Sequence, residues 1–282
     1  MEQQVQNLEL IVLDAGSTDG TVDIIRRYEE HIAWWRSAPD DGPTAAINEG
    51  VERASGEVIC LLPADDWLEG GALQSVVAEF SADPDLDILS CGTRFVRFEE
   101  NGAMRLDALF NTKEILDFSM ANVVRHPITA GRFIRRRIYR RFGGHDVSYR
   151  IASDFDFLVR VCAAGLRSKV LERVTYTYRR HENSTTLGGN PEMVFVMMSD
   201  NIRVAESNLV TNAISTSDQK ALIGMHSRCS IRLAWMLLQR RLFAQAFKVL
   251  GRAWRLNPIG PLLVPYWIFR GWHERRQLAR AV

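Results

Sequence analysis

The sequence predicts an α/β fold: a mostly parallel, twisted sheet with helices on both faces, followed by a helical C-terminal region. Three observations predict it. Short, fully apolar runs alternate with segments whose apolar residues recur at helical spacing. Clusters of Gly, Pro, Ser and Asp separate these segments. From Met193 onward the pattern is helical only.

The first strand–turn–helix unit is clearly marked. Residues 8–13 are predicted to form a buried strand, with Asp14 at its carboxyl end. Asp19 is placed to cap a helix over residues 21–30, and Asp23 suits the first turn of that helix.

The next elements repeat this alternation. The predicted strands cover residues 32–35, 58–62 and 88–96, and the predicted helices cover residues 44–54 and about 73–80. Asp65 and Asp66 follow the strand at 58–62, as Asp14 follows the first. Ligands of such sheets bind beyond the carboxyl ends of the strands. We therefore expect these three carboxylates to belong to a site.

The segment from residue 101 to 149 is less regular and rich in arginine. The arginine cluster in this segment is predicted to form a solvent-exposed helix face. The alternative is that it binds an anionic acceptor such as a lipid-linked diphosphate sugar. The members are Arg132, Arg135, Arg136, Arg137, Arg140 and Arg141. A periodic helix is predicted from Ser153, ending before Gly165, and then a strand over residues 169–174.

Composition excludes several classes of protein. The chain has 282 residues, of which 46% are hydrophobic, enough for a substantial core. The 35 basic and 34 acidic residues nearly cancel, so no global field favours nucleic acid. Four cysteines without metal-ligand spacing and a polar start predict reduced thiols, no signal peptide and a cytoplasmic location. No apolar run reaches the roughly 20 residues of a spanning helix.

Five motifs in order resemble the family 2 glycosyltransferases. IVLDAGSTDGT at residues 11–21 resembles the "VVDDGSTDGT" signature of that family. AAINEG at 45–50, GEVICLLPADD at 56–66, DFDFLVR at 154–160 and RHENS at 180–184 resemble its later motifs. Ordered motifs at plausible spacing are far more specific than any single one.

The resemblance covers roughly residues 1–190 and implies a GT-A-like transferase domain there, with residues 191–282 as a helical C-terminal extension. It implies inverting transfer of a sugar from a nucleotide-diphosphate donor to a hydroxyl, assisted by Mg²⁺ or Mn²⁺. The acceptor is expected to be a glycan or a lipid-linked sugar, in the synthesis of a bacterial surface polysaccharide.

Roles carry over motif by motif. Asp154 is expected to be the general base. Asp65, Asp66 and His181 are expected to hold the metal, with Arg180 near the leaving diphosphate. The expected nucleotide-binding residues are Asp14, Ser17, Asp19, Asn48 and Asp65. Alternatives without a functional role stay open for three of these residues. Asp14 could stabilise a turn, Asp154 could be an acid that favours the first turn of its helix, and His181 could be an ordinary surface residue.

The chain also departs from the family pattern. Ala15 replaces an aspartate, Pro63 replaces a frequent Asp or Asn, and the first strand and helix of the family are expected to be lacking. These departures favour a second hypothesis, a catalytically degenerate scaffold or binding protein. A third hypothesis is a nucleotidyltransferase. Such enzymes usually have a glycine-rich phosphate-binding loop, and none is visible in this sequence.

The C-terminal tail suggests a membrane contact. Residues 252–280 hold six arginines and one acid, Glu274, among Trp254, Trp267 and Trp272. Basic, tryptophan-rich helices favour anionic membrane surfaces, which predicts peripheral binding at the inner face of the cell membrane. The alternative is a helical cap packed on the catalytic domain.

Overall fold

The chain forms two β-sheets flanked by helices, in a computed structural model that describes residues 3, 5–182, 184, 188, 190–211 and 214–259. The strands are β1 (Ile11–Asp14), β2 (Trp34–Ser37), β3 (Val58–Cys60), β4 (Trp67–Leu68), β5 (Ile88–Phe98), β6 (Met104–Phe110), β7 (Arg132–Arg135) and β8 (Ser168–Arg179). The α/β class and the helical C-terminal region are as predicted.

The helices alternate with the strands and then continue alone. They are α1 (Thr21–Arg27), α2 (Pro43–Arg53), α3 (Ala72–Ala82), α4 (Lys113–Leu116), α5 (Met120–Val123), α6 (Arg136–Phe142), α7 (Ser153–Cys162), α8 (Pro191–Thr211), α9 (Thr216–Gln239) and α10 (Phe243–Leu256). No helix in the described ranges is long and apolar enough to span a bilayer. The tail beyond Ile259, with Trp267 and Trp272, lies outside the described residues.

The larger sheet has six strands in the order β3-β7-β5-β8-β4, with β6 on β5. Only β5 and β8 run parallel in it, while its other pairs are antiparallel. The sheet is therefore mixed. Two of the antiparallel strands, β6 and β7, come from the segment 101–149, whose sequence has no clear β/α alternation.

The expected single sheet is divided in two. The parallel pair β1–β2 forms a sheet of its own. Among the described residues, β1 has β2 as its one strand neighbour, and β3 has β7. The carboxylate of Glu9 accepts hydrogen bonds from the backbone N–H groups of Ser55 and Gly56, which ties the start of β1 to the chain just before β3.

Helices cover both faces of the larger sheet. On one face α7 is the central element: Phe155, Leu158 and Val159 are buried and belong to a core that also contains Ile202 of α8 and Leu222 of α9. On the other face α3 packs Val76 and Phe80 against the sheet. The C-terminal helices thus share one core with the sheet region, which fixes α7 and the residues at its start.

The arginine cluster is only partly a solvated face. Arg135 is buried, pairs with Glu57 and lies over the Phe80 ring. Arg132 is buried as well, and its guanidinium donates to the Ser90 hydroxyl. The prediction of a solvated helix face was wrong for these two residues, because they lie in β7, an interior strand of the sheet.

Candidate active site

One face of the β5–β8 pair carries the first part of the site. Tyr176 lies opposite Thr93 in the ladder, and Tyr178 lies opposite Phe95, with their rings stacked at 4.8 Å. Because side chains two residues apart share a face of a sheet, these four residues lie on one face. This face connects the two ends of the candidate site.

Asp66 is held at one end of this face. The Tyr176 hydroxyl donates to its Oδ2 at 2.7 Å, and the Arg179 backbone N–H donates to its Oδ1 at 2.9 Å. Burial raises the pKa of the Asp66 carboxyl, and these two hydrogen bonds act in the opposite direction. Both oxygens of Asp66 thus already have protein partners.

Asp65 and His181 form an accessible pair next to Asp66. The His181 Nε2 and the Asp65 Oδ2 are 2.7 Å apart, and the side chains are 37% and 40% exposed. The His181 backbone N–H donates to the Ser184 hydroxyl, which fixes the loop that follows β8. The sequence motifs around Asp65 and His181 are 116 residues apart, yet the structure brings the two side chains into contact.

The Asp65–His181 pair supplies only some of the ligands that a hard divalent cation needs. In the part of the chain that the structure describes, no three His, Cys, Asp or Glu side chains are grouped as metal ligands. A carboxylate and an imidazole are nevertheless acceptable ligands, and Mg²⁺ is commonly bound by one or two carboxylates together with substrate phosphates. The residues present therefore fit a cation that arrives with a diphosphate.

Asp154 lies at the N-terminal start of α7. Its carboxylate accepts a hydrogen bond from the Thr129 hydroxyl at 3.1 Å and from the Phe155 backbone N–H at 2.7 Å. Burial raises the pKa of the Asp154 carboxyl, against the effect of these two bonds. A carboxylate with a raised pKa is suited to accept a proton near neutral pH.

The loop before β7 brings Asp154 toward the sheet face that holds Asp66. Thr93, opposite Tyr176, donates from its hydroxyl to the Ala130 carbonyl at 3.1 Å. Ala130 follows Thr129, the partner of Asp154. Asp66 and Asp154 are therefore linked through neighbouring side chains of one face, Tyr176 and Thr93.

The Asp14 carboxylate already accepts four hydrogen bonds from neighbouring residues. Its carboxylate accepts bonds from the backbone N–H groups of Gly16 and Ser17 and from the hydroxyls of Ser17 and Ser37. The hydroxyl bonds from Ser17 and Ser37 are the main cause that lowers the pKa of Asp14 to about 2. Asp19 likewise accepts from the Thr21 N–H and hydroxyl at the start of α1.

A hydrogen bond joins α2, which follows the unit that contains Asp14, to the start of α7. The Thr44 hydroxyl, near the start of α2, lies 2.9 Å from the Ser153 hydroxyl at the start of α7. The two helices thus begin side by side, and the loop from β2 to α2 leads from Ser37 to Thr44.

Asn48 has a structural contact that the sequence did not indicate. Its amide donates to the His145 carbonyl and accepts from the His145 backbone N–H, both at 2.8 Å. A Cβ on Gly144 would lie 2.3 Å from the Asn48 Oδ1, so the loop packs closely on this side chain. Asn48 was expected to bind the nucleotide, whereas here its amide holds the loop between α6 and α7.

Replacing Asn48 with alanine is therefore expected to lower the free energy of unfolding by about 1–3 kcal/mol, because the His145 N–H and carbonyl lose their partners. Donor affinity of the folded protein is expected to stay unchanged. Urea unfolding and calorimetry measure the two effects separately. Asn101→Ala, in an exposed turn, serves as the control. Lost donor binding at unchanged stability would instead support a nucleotide contact for Asn48.

Three residues of the site were not found from the sequence. Tyr176 stands in an alternating Tyr-Thr-Tyr run, which predicts a strand but no partner for its hydroxyl. Thr129 and Ser37 show no local signal at all. Their roles depend on which loops the topology brings to Asp154 and Asp14.

Curated relatives share only part of their length with this chain. A PGL/p-HBAD biosynthesis glycosyltransferase of Mycobacterium bovis (strain BCG / Pasteur 1173P2) is 30% identical over 165 residues, which is 56% of this chain and 59% of that protein. An uncharacterized glycosyltransferase of Mycobacterium tuberculosis (strain ATCC 25618 / H37Rv) is 30% identical over 156 residues, 54% of this chain and 56% of that protein. The chain thus spans less than two thirds of the length of these relatives.

Solved structures share the fold. Staphylococcus aureus TarS (residues 1–349, in complex with UDP) has a TM-score of 0.60 at 15% identity, with 82% of this chain and 64% of that chain covered. The mannosyltransferase PcManGT from Pyrobaculum calidifontis, in complex with GDP-Man and Mn²⁺, has a TM-score of 0.58 at 18% identity, with 98% and 77% covered. The fold is therefore GT-A-like, as the resemblance implied.

The sequence also matches a family model directly. The match to "Glycosyl transferase family 2" extends over residues 1–143 of the 282, just over half of the chain. It includes the β1 turn, the α2 motif and the Asp65–Asp66 pair. The chain belongs to glycosyl transferase family 2.

Proposed function

We propose that this protein transfers a hexose or related sugar, with inversion, from a nucleotide-diphosphate donor to a hydroxyl of a glycan or lipid-linked acceptor. The observation that carries the proposal is the sheet face on which Tyr176 holds Asp66 and Thr93 holds the loop of Asp154. A site for a departing diphosphate and a site for a base are thus brought to one surface. The mycobacterial relative named as a PGL/p-HBAD biosynthesis glycosyltransferase supports a biosynthetic role, and we propose that the product is a glycan of the bacterial cell envelope.

In this proposal Asp154 accepts the proton of the acceptor hydroxyl. Inversion by direct displacement needs one base, and no second carboxylate nucleophile. The Thr129 bond orients the carboxylate, and burial raises its pKa and so makes it more basic. Because Phe155 donates to one oxygen and Thr129 to the other, an approaching hydroxyl would use the remaining lone pairs.

Asp65 and His181 would hold the cation, with Asp66 orienting the loop through Tyr176 and Arg179. When bound, Mg²⁺ or Mn²⁺ would neutralise the negative charge of the diphosphate. The PcManGT structure contains GDP-Man and Mn²⁺, which supports a divalent cation and a nucleotide sugar as ligands here. The chain supplies two accessible ligands, so we propose that donor phosphates supply most of the rest.

A purified preparation tests the proposal by turnover. We expect the full chain with Mn²⁺ to release UDP or GDP from one member of a panel of UDP- and GDP-sugars. We expect the release to accelerate with an extract of lipid-linked acceptors, and NMR of the product to show an inverted anomeric configuration. Failure to bind any donor would contradict the proposal.

A non-catalytic scaffold is the second candidate. Ala15, Pro63 and the hydrogen bonds of Asp14 favour it, since four protein donors already bind the Asp14 carboxylate and would compete with a donor base. A scaffold would bind no nucleotide-sugar donor and would release no nucleoside diphosphate with any acceptor. The turnover measurement therefore separates the two candidates.

A further inference from the structure

Helix α10 has a buried face and an exposed aromatic face. Ala246 and Ala253 are buried on the side toward α9. Phe243, Phe247 and Trp254, at spacings of four and seven residues, form one stripe along the helix and are 55%, 67% and 59% exposed. We call these three residues the aromatic stripe. Single exposed apolar residues are ordinary, but three large rings in a row mark an interaction surface.

The apolar surface continues onto α9. Trp235 is exposed there, and a cavity of about 170 Å³ lies between the two helices. Its lining is almost wholly apolar, from Ser227, Ile231, Leu250, Ala253 and Trp254. The aromatic stripe is thus the edge of a wider apolar surface that both helices form.

The same helices carry mostly positive charge, and Asp218 in the first turn of α9 is their one acid. From Gln219 to Ile259 the sequence has eight Lys and Arg residues and neither Asp nor Glu, although the whole chain is balanced at 35 to 34. On α10, Lys248, Arg252 and Arg255 are exposed and lie on the face beside the aromatic stripe. We call these three residues the cationic face.

We propose that the α9–α10 surface binds an anionic lipid bilayer, with α10 lying in the plane of the interface. Helices that pair an apolar stripe with a Lys/Arg face bury the stripe among acyl chains and hold the cations at anionic headgroups. A second copy of the chain is a poorer occupant, because two such surfaces would bring like charges together. The proposal is independent of the sugar-transfer reaction, although it would place the protein where lipid-linked acceptors reside.

Vesicle co-flotation of the full chain tests the proposal. We expect binding to vesicles of 70% phosphatidylcholine and 30% phosphatidylglycerol, weakened by salt, and little binding to pure phosphatidylcholine. The double variant Phe243→Ser, Phe247→Ser is expected to lower the partition coefficient at least about tenfold. The triple variant Lys248→Gln, Arg252→Gln, Arg255→Gln is expected to lower it about a hundredfold on the anionic vesicles.

Matched controls use exposed residues on elements other than α9 and α10. Val77→Ser, on α3, removes an exposed apolar side chain. The triple variant Arg26→Gln, Arg27→Gln, Arg105→Gln removes the same charge elsewhere on the surface. Both are expected to bind anionic vesicles like the unaltered protein.

Three results would overturn the proposal. These are equal partitioning of the α10 variants and the unaltered protein, an equal loss in the controls, or a dimer in light scattering that dissociates in the Phe243→Ser, Phe247→Ser variant. Melting temperatures of all variants should match, because every altered side chain is exposed. Donor titrations of the same variants should also be unchanged, so a failure here is distinct from a failure of the proposed reaction.

Discussion

Replacing Asp154 with asparagine is expected to lower kcat about 10²- to 10⁴-fold, the usual contribution of a positioned general base. Asparagine preserves the shape of the side chain, and its amide can accept from the Phe155 N–H and donate to the Thr129 hydroxyl oxygen, but it cannot take a proton. Donor affinity should stay unchanged, since Asp65 and His181 lie at the other end of the sheet face. The measurement is the initial rate of nucleoside diphosphate release at saturating donor and acceptor.

The dependence of the reaction rate on pH is a second test of the proposed role of Asp154 as the base. An aspartate works as a base only when ionised, so the rate should fall as pH falls through the pKa of Asp154. Burial raises that pKa, so the acidic limb should lie above the ordinary aspartate value of about 3.9. Thr129→Val removes a bond that favours the ionised form and is expected to move the limb to higher pH.

Stability separates a catalytic from a structural role of Asp154. A folded-state pKa above the unfolded value means that ionised Asp154 costs folding free energy at pH 7. Asp154→Asn should therefore melt at the same temperature as the unaltered protein or higher. A variant with normal kcat, or one that loses activity only because it unfolds, would contradict the role of Asp154 as base.

Replacing Asp65 with alanine is expected to abolish Mn²⁺-dependent donor binding while leaving the fold intact. The Asp65 side chain is 40% exposed and contacts the ring of His181, so its loss removes a proposed cation ligand and little packing. His181→Ala is expected to weaken the same binding. Calorimetric titration with UDP- or GDP-sugar, with Mn²⁺ or with EDTA, measures both effects.

The control for Asp65→Ala is Asp23→Ala, an exposed acid on α1. Asp66→Ala is a less selective probe, because it also leaves the buried Tyr176 hydroxyl and the Arg179 N–H without their acceptor. Equal Mn²⁺-dependent titrations for the Asp65→Ala variant and the unaltered protein would remove Asp65 from the metal site.

Most elements of the fold could be predicted, because their apolar periodicity is local. Helix α7 and strands β1, β3 and β5 lie within a few residues of their predicted positions. Strands β4, β6 and β7 were missed: β4 has only two residues, β6 is partly exposed, and β7 has two apolar residues between two arginines. A buried arginine in β7 is explained only by distant partners such as Glu57 and Ser90, which the sequence does not indicate.

The sequence predicts most residues of the candidate site, but it does not predict the contacts that those residues make. Asp65, Asp66, Asp154 and His181 follow from motifs, and the structure gives partners for each of them. The hydrogen bond from Ser37 to Asp14 and the hydrogen bond from His145 to Asn48 join residues that are 23 and 97 positions apart in the sequence. Such contacts are determined by topology, and no local pattern encodes them.

Paramagnetic relaxation by Mn²⁺·UDP tests most directly whether the cation site and Asp154 share one face. In protein with labelled threonine methyl groups, Mn²⁺·UDP is expected to broaden the methyl signals of Thr129 and Thr93 strongly, while that of Thr216, at the start of α9, is affected far less. Asp65→Ala should remove the broadening. Broadening of Thr129 no greater than that of Thr216, with Mn²⁺·UDP bound, would contradict the account.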